Sequence, residues 1–347
     1  MEKLSAWWES LIASSALLRF VDTVLRGIGQ VMFQDNPLSG AFFLLAVAWG
    51  SYRAGVPQVA TAGLVAVIVA TLTAQWLHVD TASLRSGLYG YNAFLVGLAL
   101  ATFLASGSLL FAYVVLGAAV SVITMLGSAN VVKRWGLSAL TFPFVLTSWL
   151  LLLATYGFSG LQGTALPTAS VVTAFQPYEA SLSNLADLAQ GVLHSVSQVF
   201  LKGNTISALL LLVGLAVSSR AAAAFALGGA ILAVATAHVL GAESALITGG
   251  LLGFSPVLTA IALGTVFYEP NWRVALYAAL GTVFTVIAQS ALNVALTPLA
   301  IPALTAPFVL VSWLFLLPKQ CFERAATPGT EPPTVDVLDI DVRRPAA

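Results

Sequence analysis

Long apolar runs separated by short polar breaks dominate the chain. They cover 41–54, 59–77, 88–105, 109–126 and 137–158, then 206–217, 221–240, 246–267, 274–296 and 299–317. The runs are continuous, without the alternation that marks a strand with one wet face, so each predicts a helix. A membrane span needs about 20 mainly apolar residues, and most of the runs reach or approach that length. Residues 1–29 mix apolar positions with Glu2, Glu9, Arg19, Asp22 and Arg26. They lack the uninterrupted apolar core and small-residue cleavage site of a signal peptide. They read as an amphipathic interfacial or half-spanning segment, with Trp7 and Trp8 at headgroup level. Residues 159–193 form a polar linker holding Glu179 and Asp187 and no Lys or Arg. Residues 323–347, rich in Pro and acidic positions, read as a disordered soluble tail.

Composition sharpens this picture. Hydrophobic residues make up 59% of 347 and charged residues 8%, against about 25% charged in a soluble domain. An ordinary soluble enzyme is excluded. Fourteen basic and fourteen acidic residues give a net charge of +0, which leaves no basic footprint for nucleic acid. The fold class is therefore an all-α polytopic membrane protein in contact with membrane lipid. The single cysteine, Cys321, permits no intrachain disulfide. His78, His194 and His238 have no metal-ligand spacing, and neither a phosphate-binding loop nor a nucleophile elbow is present. Neither enzymatic activity, a metal nor a cofactor is expected. His78 and Asp80 read as an interfacial polar pair at a span end.

Five runs, a polar linker and five more runs suggest an internal duplication. Gln30-Val31 followed by Asn36 and Ser39 recurs as Gln198-Val199 followed by Asn204 and Ser207, at a constant offset of 168. Leu88-Tyr89-Gly90-Tyr91-Asn92 recurs as Leu251-Leu252-Gly253-Phe254-Ser255, with Asp80 and Glu243 at the same distance before them. Leu140-Thr141-Phe142-Pro143-Phe144 recurs as Leu304-Thr305-Ala306-Pro307-Phe308. The repeats are 30–158 and 194–322. An odd number of spans in each inverts one relative to the other. With Lys3, Lys319 and Arg324 near the ends and an acidic linker, both termini are expected in the cytoplasm.

The candidate chemistry is neutral. Ion-coupled carriers place ionisable groups at membrane depth, and these spans are nearly free of them, which favours an uncharged solute. Thr141 and Thr305 each precede a proline by two residues. A proline inside a helix frees an upstream carbonyl, and such carbonyls are tolerated at depth when buried or lining a wet cavity. Hydroxyls and carbonyls together would accept hydrogen bonds from a donor-rich solute. The competing reading is a kinked helix in which each Thr bonds its own backbone. Phe33, Tyr91 and Phe254 lie beside these polar positions. Paired across a pseudo-two-fold axis, such rings would make a slot for flat molecules.

Gln30-Val31-x-Phe33 with Asn36-Pro37-Leu38-Ser39-Gly40, the Gly87-Leu88-Tyr89-Gly90-Tyr91-Asn92 block and the paired Leu-Thr-x-Pro-Phe motifs together resemble the urea transporters, over roughly 30–317. The resemblance implies a homotrimer in the bacterial inner membrane, each protomer with its own pore between two inverted halves of five spans and a re-entrant pore helix. It implies passive, channel-like passage of urea. Carried over by position, Gln30, Val31 and Phe33 form one outer site with Tyr91 and Leu95. Gln198, Val199 and Leu201 form the second with Phe254 and Leu258. Thr141 and Thr305 supply central hydroxyls. The sequence departs from the pattern at Gln198, commonly Glu in bacterial members, at Leu201 and Tyr91, which replace phenylalanines, and at Ser255-Pro256. A channel for another small neutral nitrogen solute, a short amide or ammonia, is the alternative. Urea, planar with four N–H donors, would exchange water for ring faces and fixed oxygens, bound weakly enough to leave again.

Overall fold

A computed structural model describes residues 14–171 and 184–318, together with Trp8 and Ile12. Trp7, Lys3, Cys321, Lys319, Arg324, the tail 323–347 and linker residues 172–183 lie outside the described residues. Among the described residues the chain is all α-helical, apart from an isolated bridge between Leu104 and Gly163. The first half holds α1 (Ala16–Gly29), α2 (Pro37–Arg53), α3 (Gln58–Trp76), α4 (Thr81–Arg85), α5 (Tyr91–Phe103), α6 (Ser108–Val132) and α7 (Phe142–Ala154). The second half repeats them in order as α8 (Leu185–Ser197), α9 (Thr205–Ser218), α10 (Arg220–Val239), α11 (Ser244–Thr248), α12 (Phe254–Ile261), α13 (Trp272–Leu296) and α14 (Ala306–Leu316).

The apolar runs resolve into three kinds of helix. Four are long and apolar enough to cross a membrane: α3, α6, α10 and α13. Two bent pairs, α1 with α2 and α8 with α9, turn by 73° and 71° and bring the count to six if each is one span. The remaining runs are shorter apolar helices, α5, α7, α12 and α14. At about 1.5 Å per residue, the 13 residues of α5 reach about 20 Å, short of a hydrocarbon core about 30 Å thick. Thus runs 88–105, 137–158, 246–267 and 299–317, read from composition as spans, hold half-length helices entered through non-helical chain.

Local sequence explains each break. After α1 the chain makes a 3₁₀ turn at Gln30–Met32, and Phe33 takes a left-handed φ of 62°. Asn36 then caps α2, accepting from the N–H groups of Leu38 and Ser39 at 2.9 and 3.2 Å, with Pro37 in the first turn. The second half repeats the device: a turn at Gln198–Phe200, Leu201 at φ 58°, and Asn204 capping α9 through Ser207 N–H at 3.0 Å. A left-handed non-glycine residue costs on the order of 1–3 kcal/mol, so the surrounding packing must hold Phe33 and Leu201 there.

Pro143 and Pro307 do not kink helices. Each lies in the first turn of its helix, α7 or α14, where its missing N–H costs nothing. The carbonyls before them are free of helical bonding because Leu140 and Leu304 are left-handed, at φ 52° and 51°. The proposed proline-freed carbonyl is thus corrected to a loop carbonyl.

The halves meet through reciprocal contacts, the mark of a two-fold relation. Ser39 Oγ donates to Gly214 O and Ser207 Oγ to Ala46 O, both at 2.7 Å and buried. Trp149 Nε1 donates to Pro302 O at 2.9 Å, and Trp313 Nε1 to Ser138 O at 2.8 Å. Outside, α13 exposes Leu276, Leu280, Phe284 and Ile287, and α6 exposes Leu116, Val120 and Ile123. These helically spaced stripes leave hydrocarbon as the fitting solvent.

Trp8 is tied down, its Nε1 donating to Asp22 at 2.7 Å. Arg26 bridges Asp22 and Asp35 at 2.7 Å each. Asp80 is engaged away from His78: it caps α4 by accepting from Ser83 N–H at 2.7 Å, which holds its carboxyl below the usual range. The expectation of spans without buried charge needs one amendment, because Asp22 and Lys202 are each only 5% exposed.

Candidate functional site

The two glutamines are held in equivalent poses. Gln30 Nε2 donates to Ser86 O at 2.9 Å, and Gln198 Nε2 donates to Gly249 O at 3.1 Å. Both carbonyls stand just before a left-handed glycine, Gly87 at φ 75° and Gly250 at φ 70°. A Cβ on Gly87 would fall 2.2 Å from Gly27 N, and one on Gly250 2.4 Å from the His194 carbonyl carbon. Only glycine lets α4 approach α1, and α11 approach α8, closely enough for this bond. With each amide nitrogen engaged, the amide oxygen is the group turned to other partners, and an amide oxygen is acceptor-only.

Gln30, Phe33 and Tyr91 line one cavity of 570 Å³, together with Leu140 and Phe267. Phe33 meets two rings of the other half at steep angles, Phe267 at 6.5 Å and Phe308 at 6.2 Å between centroids. Neither ring stood among the sequence candidates. Phe308 was legible, since it ends the second Leu-Thr-x-Pro-Phe motif; Phe267, ending an apolar run, carried no signal. Val31, Leu95, Val199 and Leu258 are buried in the core and do not line this cavity. Leu201 and Phe254 are half-buried at the equivalent places in the second half.

Tyr91 gives its hydroxyl proton to the protein. The group donates to Leu140 O, and Asn92 Nδ2 donates to the same carbonyl at 3.3 Å. Asn92 Oδ1 in turn accepts from Phe144 N–H at 3.1 Å, so the Tyr91-Asn92 pair fixes the start of α7. The second half lacks this brace. Phe254 has no hydroxyl, and Ser255 Oγ turns to Gln289 Oε1 at 2.7 Å. Among the described residues the Leu304 carbonyl therefore has no side-chain donor, whereas its counterpart Leu140 has two.

At the centre, Thr141 Oγ1 and Thr305 Oγ1 are 2.7 Å apart, and both residues are buried. They lie 164 positions apart in the chain, immediately before α7 and α14. The hydroxyls bond each other across the halves, in place of the backbone bonding of a kinked helix. In such a pair one hydroxyl donates and the other accepts, which leaves lone pairs for a third group. These groups, amide oxygens, aromatic rings and a hydroxyl pair, include no carboxylate.

Comparison with known proteins identifies the family. The family model described as "UT: Urea transporter" matches residues 21–320. Urea transporter 1 of Ovis aries is 32% identical over 305 residues, covering 86% of this chain and 77% of that protein. Urea transporter 1 of Rattus norvegicus is 30% identical over 322 residues, covering 91% and 81%.

Proposed function

The chain belongs to the urea transporter family, so its work is passive transport of urea across a membrane, and we propose that urea passes between the two halves of each protomer along the axis through Gln30, the Thr141–Thr305 pair and Gln198. The observation that carries this route is the direct contact of two buried threonine hydroxyls, one from each half.

Phe33, flanked by Phe267 and Phe308, forms the wall of the first slot, with Tyr91 beside it and Val31 and Leu95 behind. Leu201 and Phe254 form the second slot, backed by Val199 and Leu258. A flat neutral molecule fits such slots by its faces. Glutamine and threonine oxygens then accept its N–H groups in place of water, and the lone Leu304 carbonyl adds an acceptor on the second side. Hydrated cations lose more than these neutral oxygens return, since a charge moved to low dielectric costs several kcal/mol even after relaxation. Tyr91 supports urea selection rather than altering it, because its hydroxyl is already bonded to the protein. The halves lie inverted in the membrane, both termini face the cytoplasm, and the protein works as a homotrimer in the inner membrane.

Stopped-flow light scattering on proteoliposomes tests the reading. Urea efflux is expected to exceed that of empty liposomes, with glycerol slow and no change on collapsing proton or sodium gradients. Flux that follows an ion gradient, or acetamide outrunning urea, would replace the passive urea pore with a coupled carrier or an amide channel.

A further inference from the structure

Lys202 is a buried cation that the passage does not use. It follows Leu201 at the break between α8 and α9 and is 5% exposed. Its stem lies flat on α2 because Gly50 leaves room: a Cβ there would meet Lys202 Cβ and Cδ at 3.2 Å. Lys202 and Arg53, from the last turn of α2, both line a cavity of 340 Å³ with Thr102, Gly203 and Asn204. Among the described residues neither cation has a salt-bridge or hydrogen-bond partner, and no carboxylate lines the cavity. Asn204 Oδ1 is engaged with Ser207 N–H, which leaves its amide N–H₂ free to donate. The cavity also meets the N-terminus of α9, a helix of 14 residues that begins with Thr205 where α2 begins with Pro37. The extra N–H there is unused by the cap.

The equivalent position in the first half shows that the fold does not need a lysine. Gln34 stands there, equally buried and self-satisfied, its Nε2 donating to Met32 O at 2.7 Å. A buried unpaired cation is costly unless an anion accompanies it, and a second cation one helix away adds repulsion. We infer that Arg53, Lys202, Asn204 and the α9 N-terminus form a binding site for a phosphate-type oxyanion, beside the second slot. The exposed Arg53, the buried Lys202 and Asn204 line one cavity, and a guanidinium fork, an ammonium and an amide are the donors that tetrahedral oxyanions take; the cavity is far larger than a single halide needs. A free phosphate or the phosphate of an anionic lipid headgroup would satisfy the same donors.

Thermal unfolding of the full-length protein tests the site. Inorganic phosphate is titrated into detergent-solubilised protein against chloride at equal ionic strength, and nanodiscs of phosphatidylglycerol are compared with phosphatidylcholine. Phosphate about tenfold above its Kd should raise the melting temperature by about 2–4 °C, and Lys202→Gln, which copies Gln34, should abolish the shift. A shift with phosphatidylglycerol alone, equally lost in Lys202→Gln, assigns the site to lipid. Arg53→Gln provides the same readout should Lys202→Gln fail to fold. No shift with either anion, or one that survives both substitutions, overturns the site.

Discussion

At the residue scale, orientation matters as much as identity. Gln30 and Gln198 resemble ordinary polar residues in a sequence, yet each has its nitrogen fixed to a backbone carbonyl and its oxygen left over. Gln30→Glu would set a charge beside the Ser86 carbonyl in place of a donor, so urea flux should fall by tenfold or more, roughly the effect of losing one such bond and adding a repulsion; proteoliposome efflux reads it directly. Tyr91→Phe removes one of two donors to Leu140 O. It should cost about 1 kcal/mol of stability and change the urea rate less than threefold, because its hydroxyl proton is already committed to Leu140 O. Asn92→Ala strands Phe144 N–H as well, and should lower the unfolding midpoint further than Tyr91→Phe. A tenfold fall in urea flux for Tyr91→Phe, with stability unchanged, would return that hydroxyl to the slot.

At the element scale, the breaks between helices position these groups. The repeated motifs were legible because capping residues, glycines and prolines carry local signals that survive in both halves. Helix length was less legible, since the run 137–158 carries no charged residue and nothing in its hydrophobicity marks the left-handed Leu140 before α7. Cross-half partners were legible only in part: the resemblance put Thr141 and Thr305 at the centre, but only the packed fold shows their hydroxyls in contact and Phe33 against Phe308. Two glycines separate local conformation from close approach. Gly55 and Gly87 both have positive φ, but a Cβ on Gly55 meets nothing within 4 Å while one on Gly87 meets backbone at 2.2 Å. Gly55→Ala should cost about 1 kcal/mol from the left-handed penalty alone, and Gly87→Ala should cost more than about 3 kcal/mol or prevent folding. Equal melting temperatures for the two variants would refute the close packing of α1 on α4.

At the scale of the whole molecule, two similar halves build one axis and differ along it. The first half braces Leu140 with Tyr91 and Asn92 and has Phe33 at its break; the second, among the described residues, leaves the Leu304 carbonyl without a side-chain donor and has Leu201 at the equivalent break. Sequence already separated the halves at these positions. What it could not give was the consequence, that the Tyr91 hydroxyl is absorbed by the protein while the Leu304 carbonyl is left without a side-chain donor among the described residues. The apolar exterior stripes, with buried charge limited to Asp22 and Lys202 among the described residues, suit a membrane protein that passes an uncharged solute.

The most direct test is urea efflux from proteoliposomes carrying the Thr141→Ala, Thr305→Ala double variant beside the unaltered protein. Each lost hydroxyl removes a net contribution of about 1 kcal/mol, so the account predicts flux lower by at least about tenfold, with the protein still folded by circular dichroism and melting temperature. Undiminished urea flux in that folded double variant would contradict a route through the centre of the two halves.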